Sequence, residues 1–236
     1  MRTNVLLLVG ALGILLTSTS IAQPVVSANA VGFVNISVPP NALAIIAIPL
    51  NGTNNNLNTT LPMPPGSDGC TIYRYSPISS FTDPTTWFDG FGWFNPSDPD
   101  PTIHPGESFW LQNVTSNPLQ VTLIGDVPQG DLQNPVPGGN TLKMVSSQVP
   151  KTLNLGEPGL ADTLNFPAAD GDTVYIFDVV TQNYKDPYNY FDGFGWFSAN
   201  ADDPGPRGPV IPVATGFWTL KPGPAATWRQ SFRVDE

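Results

Sequence analysis

The sequence predicts an all-β protein built from two tandem, homologous β-sandwich or small-barrel domains related by internal duplication. A seven-residue segment rich in Phe and Trp, residues 88–94, recurs letter for letter at residues 191–197. Apolar residues alternate with polar ones along several short segments, and no window combines helical periodicity with start and stop signals. The 27 Pro and 22 Gly residues indicate frequent turns between short strands.

The repeat extends well beyond the heptapeptide. Residues 71–75 resemble residues 173–177, and residues 106–111 resemble residues 214–219. A repeat of this length is larger than a solenoid unit, so it indicates a duplicated domain. We predict a first β domain at residues 23–129 and a second at residues 130–236.

The strands of the first domain follow from their patterns in chain order. Val34, Ile36 and Val38 alternate with polar residues, which predicts a strand that ends before a Pro-Pro pair. Residues 43–48 form a denser apolar run, typical of a strand with both faces covered. Further strands are predicted at residues 71–75, 108–112 and 119–124, and residues 51–65 are predicted to form a loop.

The second domain repeats this order. Strands are predicted at residues 141–145, 173–177, 216–220 and 228–234. Residues 153–164 come closest to a helical pattern, but Gly156, Pro158 and Gly159 interrupt it.

The N-terminus predicts export. A short basic start precedes an apolar run of the length typical of a signal peptide, and small residues before Gln23 suit cleavage after residue 22. The run is too short for a membrane span, which needs about 20 apolar residues, so we expect no membrane span in the mature chain. An uncleaved N-terminal anchor is the alternative. The predicted location is secreted, either extracellular or at the cell surface.

Charge and cysteine content exclude several classes. The formal net charge is −10 and no cluster of Lys and Arg occurs, so nucleic-acid binding lacks its electrostatic signature. The single cysteine, Cys70, cannot supply an internal disulfide framework.

Several segments together resemble uncharacterised exported proteins of planctomycete and verrucomicrobial bacteria. They are residues 31–36 leading into residues 43–50, residues 125–130 at mid-chain, and the Phe-Asp-Gly-Phe-Gly-Trp segment of each half. The resemblance covers nearly the whole mature chain. It implies export and a tandem β architecture, and it carries no established activity or catalytic residues.

The sequence offers little for catalysis. His104 is the sole histidine and lies in a Pro-Gly turn region, so neither a nucleophilic triad nor a usual zinc site is indicated. Asp89 and Asp192, one from each heptapeptide, could meet as a carboxylate dyad. The favoured interpretation is that each Asp forms a hairpin turn with the glycine after it, Gly90 and Gly193, because Asp-Gly is a strong signal for a type I′ turn. We predict that the protein is not an enzyme.

The repeated aromatic residues have two interpretations. They could stack on sugar rings and bind glycans, or they could form the domain cores or the seam between domains. Packing is favoured. The residues concerned are Phe88, Phe91, Trp93, Phe191, Phe194 and Trp196.

No cofactor is predicted, although calcium remains open. The acidic loops at residues 97–100 and 202–203 follow the two heptapeptides, and calcium prefers such oxygen ligands. Solvated turn aspartates explain the same residues.

The leading functional hypothesis is a secreted, non-enzymatic structural protein of the cell surface or extracellular matrix. The strand containing Val34, Ile36 and Val38 could add to a sheet edge of another copy and so build filaments. Alternatively, this strand completes its own domain. The second functional hypothesis is a carbohydrate-binding module that uses the aromatic heptapeptides.

Overall fold

The computed structural model describes residues 30–199 and 205–234. The predicted all-β class is confirmed. No helix within these two ranges is long and apolar enough to span a membrane. The predicted signal peptide, residues 1–22, lies outside the described residues.

The first half of the chain contains nine strands and one short helix among its described residues. In chain order they are β1 (Val31–Val38), β2 (Ala42–Ala47), α1 (Leu57–Thr60), β3 (Thr71–Tyr73), β4 (Tyr75–Ser76), β5 (Ser80–Phe81), β6 (Thr85–Phe88), β7 (Gly92–Phe94), β8 (Ser108–Asn113) and β9 (Leu119–Asp126).

The second half follows with strands alone in its described part. They are β10 (Gly130–Val136), β11 (Thr141–Val145), β12 (Leu153–Asn154), β13 (Thr173–Tyr175), β14 (Phe177–Asp178), β15 (Asn183–Tyr184), β16 (Tyr188–Phe191), β17 (Gly195–Phe197), β18 (Val210–Ile211), β19 (Phe217–Lys221) and β20 (Ala226–Phe232). The predicted domain boundary, between residues 129 and 130, lies at the start of β10.

Each half contains a five-stranded antiparallel sheet, and the two sheets have the same strand order. The first is β2-β8-β3-β6-β7 and the second is β11-β19-β13-β16-β17. A two-stranded ribbon accompanies each sheet, β1-β9 in the first half and β10-β20 in the second. Each half also has a small hairpin. In the first half β4 and β5 form it directly after β3, and in the second half β14 and β15 form it directly after β13.

Strict alternation along the strands explains how each sheet buries both faces. On β8, Phe109 and Leu111 point into the core of the first half, whereas Trp110 belongs to a second cluster shared with the other half. On β2, Ile46 lies in the core and Ile45 in the shared cluster. Because successive side chains point to opposite faces, such strands read as continuous apolar runs.

The ribbon β1-β9 completes the core of the first half. β1 pairs with β9 along its whole length, from Val31 opposite Asp126 to Val38 opposite Leu119. Val34 and Val38 are buried in the core, and Ile36 packs against it. In this structure the segment considered for strand exchange therefore completes its own half, which is the alternative that the sequence left open.

The predicted loop at residues 51–65 differs from the structure at one place. It contains the single helical turn α1, which was not predicted because the segment shows no helical periodicity. Asn56 caps this turn, since its side chain accepts a hydrogen bond from the backbone N–H of Asn58 at 2.7 Å. One capped turn is too short to leave a periodic pattern.

Candidate functional site

The faces of the two sheets that point away from their own cores meet at a cleft of about 850 Å³. Small-molecule sites have volumes of roughly 300–1,000 Å³. From the first half the cleft is lined by Leu43, Tyr73, Tyr75, Phe81, Trp110 and Gln112. From the second half it is lined by Leu142, Tyr175, Tyr184, Trp218 and Leu220.

The strand registers place equivalent residues around the cleft. Tyr73 lies opposite Trp110 on neighbouring strands of the first sheet, and Tyr175 lies opposite Trp218 in the second. Leu43 and Leu142 occupy matching positions on the edge strands β2 and β11. The cleft thus has an approximate twofold arrangement, with one tryptophan supplied by each half.

The small hairpins cross between the halves and enclose the tryptophans. Tyr75 and Phe81, from the β4-β5 hairpin, contact Trp218 of the second half edge-on, with ring centroids 4.8 and 6.4 Å away. Phe177 and Tyr184, from the β14-β15 hairpin, contact Trp110 of the first half at 4.7 and 6.3 Å. Edge-to-face contacts stabilise aromatic pairs. Because each hairpin contacts the tryptophan of the other half, these contacts hold the two halves together and keep the walls of the cleft in place.

Backbone hydrogen bonds join the halves beside the cleft. Ala47 N–H donates to the carbonyl of Ala214 at 2.9 Å, and Ser146 N–H donates to the carbonyl of Gly106 at 3.0 Å. These two bonds are equivalent, because each joins the end of an edge strand to the turn before β8 or β19. Gln182, in the β14-β15 hairpin, adds a side-chain link, since its amide bonds both the N–H and the carbonyl of Leu43. The cleft is therefore preformed.

Few polar groups face the cleft. None of its eleven described lining residues carries a formal charge. The Tyr73 hydroxyl donates to Gln112 Oε1 at 2.8 Å, so these two polar groups partly satisfy each other. The Trp218 indole N–H is buried and makes no well-aligned hydrogen bond. It lies near the Tyr184 hydroxyl, because burial raises the pKa of Tyr184 and the Trp218 N–H partly opposes that rise.

The heptapeptides lie elsewhere, on the outer strands of the two sheets. β7 and β17 are the edge strands farthest from β2 and β11 in the strand order. The tryptophans of the two motifs, Trp93 and Trp196, are buried in the two cores and donate their indole N–H to backbone carbonyls. The phenylalanines are exposed, with Phe91 at 92% and Phe194 at 84%. Phe88 and Phe191, also exposed, precede the turns.

The Asp-Gly pairs lie in the turns before β7 and β17. Phe91 N–H bonds the carbonyl of Phe88, and Phe194 N–H bonds that of Phe191. The predicted type I′ geometry is wrong, because only the second central residue has a positive φ, +85° at Gly90 and +79° at Gly193. A positive φ at that position alone is the requirement of a type II turn, which glycine meets without a steric penalty.

Asp89 and Asp192 each make hydrogen bonds within their own half. Asp89 accepts hydrogen bonds from the Trp87 indole and from Gly66 N–H, both at 2.8 Å, and these bonds lower the pKa of Asp89. Asp192 N–H bonds the Asp170 carboxylate at 3.2 Å. Since the two turns lie at the far edges of different sheets, the fold does not bring Asp89 and Asp192 together as a dyad.

The proposed calcium loops are only partly described. Asp98 pairs with Arg74 at 2.5 Å, and Asp100 accepts a hydrogen bond from Asn56. Residues 202–203 lie outside the described part of the chain. Within that part, no group of three or more His, Cys, Asp or Glu side chains is arranged to hold a metal ion.

Sequence reasoning missed the cleft, although part of its signal was present. The tryptophans Trp110 and Trp218, and the tyrosines Tyr73 and Tyr175, lie at matching positions of the repeat. Each belongs to a strand whose other face is also apolar, so each had to meet a second layer. What the pattern did not indicate is that this layer is the other half of the chain.

Comparison with known proteins gave no relative: no family model, no curated protein and no solved structure matches the chain.

Replacing Tyr190 by phenylalanine is expected to change stability at high pH. Burial and the nearby carboxylate of Glu157 raise the pKa of Tyr190 to about 12. A raised pKa in the folded state contributes stability that is complete below pH 10, the ordinary tyrosine value, and that disappears as the pH rises towards 12. Urea unfolding of both proteins between pH 9 and 12 should therefore show a shallower loss for Tyr190→Phe. If the free energy of unfolding changed with pH in the same way in both proteins, the raised pKa of Tyr190 would be contradicted.

Proposed function

We propose that this chain is a secreted, non-enzymatic binding protein whose site is the aromatic cleft between its halves. The ligand class that fits is an uncharged, flat and largely apolar molecule. The observation that supports this most strongly is the pair of tryptophans, each contacted edge-on by rings from the opposite half, in a preformed cleft of ligand size.

The chemistry of the walls selects against other ligands. A charged ligand would lose its hydration without gaining a counter-charge, which is costly. A sugar would bring many hydroxyl groups, whereas the described residues of the wall offer one amide group, that of Gln112, and otherwise only tyrosine hydroxyls as polar partners. A flat apolar ligand can use the ring faces of the wall. Apolar chemistry is therefore favoured over the glycan hypothesis.

Binding can be tested with prodan, a neutral naphthalene dye whose single carbonyl is a hydrogen-bond acceptor and whose emission shifts to the blue in apolar surroundings. We expect a saturable blue shift with the purified protein. Leu142→Arg places a charge in the cleft wall and should weaken binding at least about tenfold, equivalent to about 1.4 kcal/mol. Trp218→Phe keeps an aromatic ring in the wall but reduces its area, so it should weaken binding by a smaller factor.

The matched control lies on the outer surface. Phe91→Ser combined with Phe194→Ser removes the most exposed aromatic residues of the heptapeptides and leaves the cleft intact. This variant should bind prodan like the original protein. If it loses binding while Leu142→Arg retains it, the heptapeptides are the site and our assignment is wrong. If none of these proteins, including the original one, gave a saturable blue shift, the proposed binding function would also be contradicted.

A second candidate function is self-assembly, and the exposed phenylalanines favour it. Phe88, Phe91 and Phe94 are exposed at one outer sheet edge, as are their three counterparts at the other. A molecule with the same apolar group at both outer edges can join like edges to like edges and extend in a line. This second candidate is still a structural protein, but the copies would join through the outer sheet edges and not through strand β1.

Self-assembly is tested by the mass of the particles. Sedimentation at increasing concentration should give growing species for the original protein and a constant monomer for the double Phe91→Ser, Phe194→Ser variant. A monomer at all concentrations for both proteins would contradict assembly through these edges and would leave the cleft proposal untouched.

A further inference from the structure

The second half contains a fully buried Lys–Asp pair. The side chains of Lys221 and Asp172 are 2% and 1% exposed, and Lys221 Nζ contacts Asp172 Oδ2 directly. Lys221 ends β19, and Asp172 immediately precedes β13. Since Thr173 lies opposite Leu220 on these antiparallel strands, the two side chains come from directly opposed positions.

The architecture itself does not require charges at this place. The same two positions in the first half hold Cys70 and Asn113, whose Sγ and Oδ1 atoms are 3.8 Å apart in an equally buried setting. Desolvation of a buried ion pair can cost as much as the attraction returns, so a neutral pair of similar volume stabilises a core as well or better. The charged pair in the second half therefore calls for another explanation.

The surroundings of the pair leave one atom without a partner. Asp172 Oδ2 accepts a hydrogen bond from Ala169 N–H at 2.9 Å, and Lys221 Nζ donates to the carbonyl of Pro167 at 3.0 Å. Asp172 Oδ1 is buried and has no hydrogen-bond partner. Burial raises the pKa of Asp172, against the opposing effect of the hydrogen bond from Lys221. Burial thus shifts the carboxyl group towards its protonated form, which is the form that condenses with an amine.

We propose that Lys221 and Asp172 form an intramolecular isopeptide bond. A proton passes from the ammonium group of Lys221 to the carboxylate, which leaves a neutral amine beside a neutral acid. The Nζ lone pair then attacks Cγ, and the bond from Cγ to Oδ1 breaks. Oδ1 leaves as one water molecule, with the proton of the acid and one proton of the amine. Nothing is oxidised or reduced, and no co-reactant is needed.

In the amide product, each polar atom that remains at the site has a hydrogen-bond partner. Oδ2 becomes the amide oxygen and can keep the hydrogen bond from Ala169 N–H. The remaining N–H on Nζ can keep its bond to the carbonyl of Pro167. The unpartnered Oδ1 is removed altogether. A buried amide with both groups bonded costs far less than a buried carboxylate with one free oxygen.

Such a bond would give the second half a covalent cross-link that cysteine chemistry cannot supply. Cys70 is the sole cysteine of the chain and is buried in the first half. The amide would join the strands β13 and β19, which carry Tyr175 and Trp218 of the cleft. It would therefore brace one wall of the cleft against unfolding.

The test is peptide mapping of the purified full chain. Trypsin cleaves after Lys151, Lys185, Arg207 and Arg229, which releases Asp172 in peptide 152–185 and Lys221 in peptide 208–229. We expect one species that contains both peptides and is lighter than their sum by one water molecule. Failure to cleave at Lys221 is not diagnostic, because proline follows it.

Lys221→Arg is the matched control, since it keeps the charge but cannot form this amide. Its two peptides should separate. Separate peptides from the folded original protein would overturn the proposal and leave the pair as an ion pair only. A linked species that persists in Lys221→Arg would also overturn it, because the link would then involve other residues.

Discussion

Replacing Lys221 by methionine is expected to lower the free energy of unfolding by about 3–5 kcal/mol. Methionine has a similar length and no charge, so the variant keeps most of the packing and leaves Asp172 buried without its counter-ion. Ala169 N–H would then be the only partner of the carboxylate. If the amide forms, the variant loses it as well, and the loss of stability increases.

The first half provides the control for this prediction. The double variant Asp172→Cys, Lys221→Asn copies the pair Cys70 and Asn113 into the equivalent positions and removes both charges. We expect it to recover the part of the loss in Lys221→Met that comes from the uncompensated charge, as measured by urea unfolding at neutral pH. A double variant as unstable as the single one would show that the loss comes from the missing link between Lys221 and Asp172 and not from the uncompensated charge.

The pH dependence gives a further check on the same variant. Without Lys221, the raised pKa of Asp172 rises further, because burial still disfavours the carboxylate and the counter-charge is gone. A raised pKa in the folded state means that stability falls as the pH rises through it. Lys221→Met should therefore approach the original protein in acid and diverge from it towards neutral pH. An equal difference at both ends would contradict the buried, uncompensated carboxylate.

The β class was predictable because it depends on local patterns. Alternation in β1 and the dense apolar run of β2 reflect which faces are covered, and the structure bears this out in the burial of Val34, Ile45 and Ile46. Turn types and the single turn of α1 depend on one or two residues, so periodicity did not predict them. Glycine permits several turns, and the sequence alone does not select among them.

The cleft and the buried pair were not predictable in the same way. Both depend on which distant segments of the chain come into contact. The apolar pattern of a strand indicates that one of its faces is covered, but it does not indicate which segment covers that face. Comparison of the two halves would still have been informative. Cys70 and Asn113 change together to Asp172 and Lys221 at equivalent positions, a paired replacement that indicates contact.

Replacing Trp228 by alanine is expected to cost about 3–5 kcal/mol, the usual range for deleting a buried Trp or Phe side chain. Trp228 is completely buried on β20, contacts Phe166 and Phe217 with ring centroids 5.1 and 6.0 Å away, and donates its indole N–H to the carbonyl of Leu164 at 2.7 Å. Alanine would leave a large cavity, and the Leu164 carbonyl would keep only its longer hydrogen bond from the Gln230 side chain, at 3.2 Å. Val121 occupies the equivalent place on β9, so Val121→Ala is the matched variant and should cost less.

The same variant shows whether the halves unfold together. The crossed hairpins place Tyr75 on Trp218 and Phe177 on Trp110, so unfolding of the second half would strip the first of its aromatic contacts. We therefore expect Trp228→Ala to shift one common transition, seen at the same urea concentration by tryptophan fluorescence and by circular dichroism. Two separated transitions, with the later one at the original midpoint, would instead show that each half is stable alone. In that case the cleft would be a contact between independent domains, because its walls would no longer share one folding unit.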